Sequence, residues 1–238
     1  MILENMKYGR VRHLTLLDPE KTTVGNIEDL LKKVEKAGTD GILVGGSTGT
    51  NFVNVDELVK SIKRNIKKPA ILFPSSPEGF SPNADAIFYL SLLNSQSLDY
   101  VIGYQVQSSI LLKKSKMEVI SVAYIVFEPG MTVGKVGKAD LISRSDWEKA
   151  LSYATAAELM GFHAVYLEAG SGATRNIDPM VVKKVAEDLT IPVIVGGGIR
   201  EPEVAKSMIE AGATTVVTGT IAEKDPRKLE EIVRSIKN

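Results

Sequence analysis

The 238-residue chain contains no cysteine. That absence removes disulfides, thiolate zinc sites and cysteine nucleophiles in one step. Histidine is scarce as well, with only His13 and His163. Neither charge sign is in excess, because 29 basic residues balance 29 acidic ones. Nucleic-acid binding normally draws on a basic surplus, so no nucleic-acid partner is expected. No apolar run approaches the ~20 residues that span a bilayer, so no transmembrane segment is expected. The opening residues MILENMKYGRVRHLTLLDPEK are broken by charges and make no signal-peptide core. The location expected from these absences is the cytoplasm.

What the chain does have is alternation. Short runs rich in Val, Ile and Leu recur at 13–18, 40–46, 70–74, 99–104, 119–127, 164–170, 192–198 and 214–219. Near-continuous apolar character is what strands of a parallel sheet show when both faces are buried. Amphipathic stretches lie between them at 26–37, 55–66, 146–160, 178–188, 202–211 and 226–236. Several end at glycine, and Pro202 and Pro226 open the last two. Strands alternating with helices over 238 residues, close to the roughly 250 typical of the fold, predict a (β/α)₈ TIM barrel. No composition break divides the chain, so a single domain over 1–238 is expected. Two segments interrupt the rhythm. Residues 74–84, PSSPEGFSPNA, deny a regular third helix, and 128–145 form an extra loop after strand five. Both follow strand C-termini, the face on which barrel enzymes carry their sites.

Three consecutive strands end in glycine-rich turns: Glu168-Ala169-Gly170-Ser171-Gly172-Ala173, Gly196-Gly197-Gly198-Ile199-Arg200 and Thr218-Gly219-Thr220. Glycine lets backbone amides approach an anion closely, and the loops after strands seven and eight are this fold's usual phosphate site. Ser171 and Thr220 add hydroxyl donors. The plainer alternative is that these glycines only make tight turns. Arg200 has two readings, a phosphate contact or an ion pair with Glu201. In AVYLE, alternation puts Ala164, Tyr166 and Glu168 toward the barrel interior and Val165 and Leu167 toward the helices. A carboxylate at the mouth beside a phosphate loop can take a proton from a substrate hydroxyl; paired with an interior base it would be structural. Asp18 ends strand one and Ser47 follows strand two. One carboxylate and a hydroxyl suffice for Mg²⁺, while an Asp-Pro turn and a helix N-cap explain them equally. Both histidines fall at the barrel bottom, which disfavours a histidine site.

These residues resemble a family, the geranylgeranylglyceryl phosphate synthases and their heptaprenyl relatives. The resemblance spans essentially the whole chain. It rests on His13-Leu14-Thr15-Leu16-Leu17-Asp18-Pro19, Val44-Gly45-Gly46-Ser47 and Tyr166-Leu167-Glu168-Ala169-Gly170-Ser171-Gly172, then the triple-glycine and Thr-Gly-Thr turns. It implies ether formation between sn-glycerol 1-phosphate and a long-chain prenyl diphosphate, most simply geranylgeranyl diphosphate, with Mg²⁺ as cofactor and diphosphate released. It implies that Asp18 and Ser47 hold the metal. Tyr166, Leu167, Glu168, Ala169, Gly170, Ser171, Gly172, Gly197, Gly198, Gly219 and Thr220 match the glycerol phosphate site, and Glu168 the proton acceptor. A homo-oligomer and transient membrane contact for the lipid product follow from the same likeness. The prenyl tail needs an apolar trough, with Phe80, Phe88 and Tyr89 as candidate walls, though ordinary packing explains those aromatics equally. Two other readings use the same cradle: a phosphosugar isomerase or cyclase, and a non-catalytic phosphometabolite-binding protein.

Overall fold

In the computed structural model, the described residues are 1–22, 27–46 and 51–237. Eight parallel strands close into a barrel in chain order. They are β1 (His13–Leu17), β2 (Gly41–Val44), β3 (Ala70–Leu72), β4 (Ala86–Leu92), β5 (Glu118–Val126), β6 (Ala164–Glu168), β7 (Val193–Gly196) and β8 (Thr215–Thr218). The helices are α1 (Ile2–Lys7), α2 (Ile27–Ala37), α3 (Phe52–Asn65), α4 (Tyr104–Lys114), α5 (Met131–Val136), α6 (Trp147–Leu159), α7 (Pro179–Asp188), α8 (Pro202–Glu210), α9 (Thr220–Lys224) and α10 (Pro226–Lys237).

Alternation along the strands divides the core. Leu14, Leu43, Ile71, Val122, Tyr166 and Ile194 fill the interior of the barrel. Their neighbours Val165, Leu167, Val193 and Val195 face outward under the helices. The strands are therefore buried on both sides, as their apolar runs predict for every strand but β4. α1 plugs the bottom: Met6 is fully buried in the interior cluster. The Glu118 carboxylate fixes this helix by accepting from Ile2 N at 2.7 Å and Leu3 N at 2.9 Å. A carboxylate on the first free amides suits a helix N-terminus.

One expected strand is wrong. Residues 99–104 are not strand four; Asp99–Gly103 form a π-helical turn that runs straight into α4. The fourth strand is β4, which pairs with β5 from Ala86↔Glu118 to Leu92↔Tyr124. A short apolar run does not by itself distinguish a strand from a helix with one buried face. Tyr100 and Tyr104 turn inward while Leu98 and Ile102 stay exposed, which is helical spacing. The missing third helix is observed: β3 passes to β4 through 73–85 without one. That strap is tied to α3 at Asp56, which accepts from Ser81 Oγ at 2.6 Å and Asn83 Nδ2 at 2.8 Å. The 128–145 segment, read as a loop, contains α5. Asp146, directly before the first turn of α6, caps that helix by accepting from Lys149 N.

Candidate active site at the barrel mouth

The centre of the mouth is Glu168, the last residue of β6, only 6% exposed. Its Oε1 accepts the Gly170 amide at 2.6 Å and its Oε2 accepts the Tyr124 hydroxyl at 3.1 Å. The Tyr166 hydroxyl also lies against it. Burial raises the carboxyl pKa above the usual range, partly offset by the Gly170 amide and the two hydroxyls. Burial, reinforced by the Glu168 charge, likewise holds both tyrosines well above their ordinary pKa. No cation pairs with Glu168 among the described residues, so the structural ion-pair reading lacks its partner. A desolvated carboxylate held by donors that keep it aligned is suited to accept a proton.

Beside Glu168 lies a cavity of about 430 Å³ walled by Tyr166, Ser171, Gly172, Gly197, Gly198 and Thr220, with Gly219 and Arg200 at its edge. The three glycine turns thus meet at one place. Gly197 is there for conformation and space together. Its φ is +91°, and a Cβ would stand 2.5 Å from Glu168 Oε1 and 2.6 Å from Gly170 N. Arg200 does not pair with Glu201; it donates to Gly172 O at 2.8 Å, while Glu201 pairs with Lys228 at 2.6 Å. Three of the sequence candidates do not line the cavity. Leu167 and Ala169 are fully buried in the outer cluster, where alternation turns their side chains. Gly170 commits its amide to Glu168 instead.

Asp18 follows Leu16, a wall residue of the same cavity, by two positions. It pairs with Lys21 at 3.0 Å and accepts Glu20 N at 3.1 Å. Gly46 packs closely against it, since a Cβ there would be 2.8 Å from Asp18 Oδ1. Ser47, the other metal candidate, lies outside the described residues. Glu223 on α9 was not anticipated. Its pKa is raised by burial; Lys21 lowers it and the nearby Asp18 charge raises it further. Among the described residues, no cluster of three or more His, Cys, Asp or Glu side chains could hold a metal.

On the other side, under the 74–84 strap, is a trough of about 780 Å³ with an almost wholly apolar lining. Phe80 and Tyr89 are walls as expected. Phe88 is not: it is fully buried inside the barrel, because it alternates with Ile87 and Tyr89. Tyr100, Tyr104, Leu112 and Val133 complete the walls, and Tyr124 stands at the inner end. There the Tyr124 ring packs edge-on against Phe73 at 5.6 Å and Tyr166 at 5.1 Å.

A model of the PcrB family matches residues 6–237. The chain belongs to the PcrB family. Among relatives, the geranylgeranylglyceryl phosphate synthase of Thermoplasma acidophilum is 50% identical over 99% of this chain and 94% of its own length. The Methanosarcina mazei protein of the same name is 48% identical over 97% of this chain and 95% of that one. The T. acidophilum crystal structure, solved with its substrate sn-glycerol-1-phosphate, aligns at a TM-score of 0.95 with 49% identity, covering 100% of this chain and 98% of that chain. A tryptophan synthase alpha-subunit from Pyrococcus furiosus, at 14% identity and TM-score 0.58, shares the fold alone. In this PcrB-family chain, sequence reading missed Tyr124, Phe73 and Glu223. Tyr124 was detectable, since alternation through VISVAYIV turns it inward level with Tyr166.

Proposed function

We propose that this chain moves a prenyl group from a long-chain prenyl diphosphate, most simply geranylgeranyl diphosphate, onto sn-glycerol 1-phosphate. The observation that carries this reading is Tyr124. Its ring ends the apolar trough, and its hydroxyl holds the carboxylate of the neighbouring anion cavity. An apolar tail and a polar phosphate are thereby led to a single carboxylate. A phosphosugar enzyme would use the polar cavity and leave the trough unexplained.

The glycine turns and Ser171 hold the phosphate, which fixes the glycerol hydroxyl at Glu168 and supplies the advantage of orientation. The hydroxyl oxygen forms a bond to the allylic carbon as that carbon's bond to diphosphate breaks, and the hydroxyl proton passes to Glu168. The electron-rich faces of Phe73, Tyr124 and Tyr166 suit positive charge developing at the allylic carbon. The walls of the trough exclude water that would compete for the same carbon.

The residues fit magnesium, which keeps most of its waters and needs few protein oxygens. The lack of a side chain at Gly46 makes room for the Asp18 carboxylate, which Lys21 and the Glu20 amide hold in place. Bound at Asp18 with Ser47, as the resemblance implies, Mg²⁺ supplies countercharge to the departing diphosphate. A homo-oligomer belongs to the same reading. Trp147 is its anchor, because the ring stays 38% exposed at the start of α6 with Lys184 Nζ 5.9 Å from its centre. The test is incubation with sn-glycerol 1-phosphate, Mg²⁺ and prenyl diphosphates of several lengths, followed by mass analysis. The expected product is a prenyl ether of glycerol phosphate. Binding of glycerol phosphate without product at any prenyl length overturns the reading.

A further inference from the structure

The segment from Leu98 to Lys116 has two apolar faces. The inner one, through Tyr100, Tyr104 and Leu112, walls the trough. The outer one is Leu98, Ile102, Val106 and Ile110, one residue every fourth position, with Leu111 beside them. All five are exposed, Leu98 at 76% and Ile110 at 70%. They are five of the fourteen large hydrophobic side chains exposed among the described residues, so the apolar surface is concentrated here. Lys113 continues the face three residues past Ile110, and Lys114 and Lys116 are exposed alongside. Asp99, at the far end, is the one acidic residue in 98–116.

We propose that the outer face of the π turn and α4 docks on an anionic lipid surface. The apolar ridge enters the headgroup boundary and Lys113, Lys114 and Lys116 meet lipid phosphates. A helix with an apolar face and flanking cations lies in a membrane interface rather than crossing it. No helix among the described residues is long and apolar enough to cross. Contiguous exposed apolar surface marks an interaction site, and the lysines favour an anionic partner. The same helix walls the trough on its other side, so docking brings the trough against the lipid phase. A prenyl chain can then pass between bilayer and trough without crossing water. This last step rests on the prenyl-transfer reading; the docking itself does not.

Flotation of the full chain with vesicles of phosphatidylcholine and phosphatidylglycerol in equal parts tests the docking. The wild type is expected to float with them and to remain behind with pure phosphatidylcholine. The triple variant Ile102→Gln, Val106→Gln, Ile110→Gln is expected to lose at least about tenfold of the binding. The double variant Lys113→Glu, Lys114→Glu, which leaves the apolar ridge intact, is expected to lose roughly fivefold or more per lysine. Both variants should keep wild-type turnover of geranyl diphosphate in solution and lose turnover of geranylgeranyl diphosphate carried in the vesicles. A wild type that does not float, equal binding to neutral vesicles, or variants that float like wild type overturn the proposal. So does light scattering that shows the triple variant falling to a smaller particle, because a second copy then covers the face. If the wild type floats yet turns over neither substrate, the transferase reading fails and the docking stands.

Discussion

The β6–β8 side of the barrel mouth is built mainly from backbone, and the β3–β5 side mainly from side chains. On the first, glycine turns bring backbone amides and carbonyls to the lining, and Tyr166, Glu168, Ser171, Arg200, Thr218 and Thr220 add functional groups. On the second, a strap without a helix and the wall of α4 present rings and aliphatic chains. The two ligand chemistries explain the contrast. A phosphate is small and charged and is held by close, directed donors. A prenyl tail is long and featureless and requires only apolar area removed from water. A single methyl should therefore injure the first side, whereas the second should tolerate redesign and answer in chain length.

The sharpest way to break this division is at Glu168, where the sides meet. Glu168→Gln is expected to lower turnover by on the order of 10²–10⁴ while glycerol phosphate still binds. Its pKa is raised by burial, so the wild-type rate should climb with pH through a value above that of an ordinary carboxylate, and the variant should lack that limb. The sign for stability is the opposite. A carboxyl whose folded pKa is raised favours the fold at low pH and loses that contribution as pH rises through the folded value. Glu168→Gln should therefore melt at or above the wild type near neutral pH, and acidification should close the gap. Near-native turnover removes Glu168 from the chemistry.

Asp18→Asn should cut prenyl diphosphate use by roughly 10²-fold together with Mg²⁺ binding, and leave glycerol phosphate affinity nearly unchanged. Calorimetry on both ligands reads this; equal loss of both would make Asp18 a structural support of the mouth. Gly197→Ala tests the backbone side. The positive φ alone costs about 1–3 kcal/mol, and the added Cβ meets both Glu168 and the Gly170 amide. Glycerol phosphate affinity should fall at least roughly tenfold, with thermal stability falling too. Unchanged affinity would mean that this turn does not carry the phosphate.

Phe80→Ala tests the side-chain half. It should raise KM for geranylgeranyl diphosphate roughly tenfold, leave glycerol phosphate affinity alone and shift preference among prenyl lengths. An equal effect on both ligands would deny that the two sides act separately. The smallest effect on turnover is expected from Trp147→Ala, which lines neither side. Light scattering should show a smaller particle; an unchanged particle with lower thermal stability returns Trp147 to packing within its own chain.

By itself the sequence determined the barrel class and seven of its eight strands, the glycine turns after β6, β7 and β8, and the inward face of Tyr166 and Glu168. These are local properties. Strand alternation has a period of two, and a glycine turn announces itself within a few residues. The break after β3 was legible for the same reason, through its prolines. The π turn and α4 were not, because an apolar run with two apolar faces has no period that excludes a strand. The inward face of Tyr124 was legible from alternation in β5, but its partners were not, because they come from other strands. The register between β5 and β6 decided that it stands level with Tyr166, between a carboxylate and a trough. The approach of Glu223 to the local Asp18–Lys21 pair was decided by closure, which brings α9 beside the end of β1. Proximity across more than a hundred residues is a property of the closed sheet and leaves no mark on the local pattern.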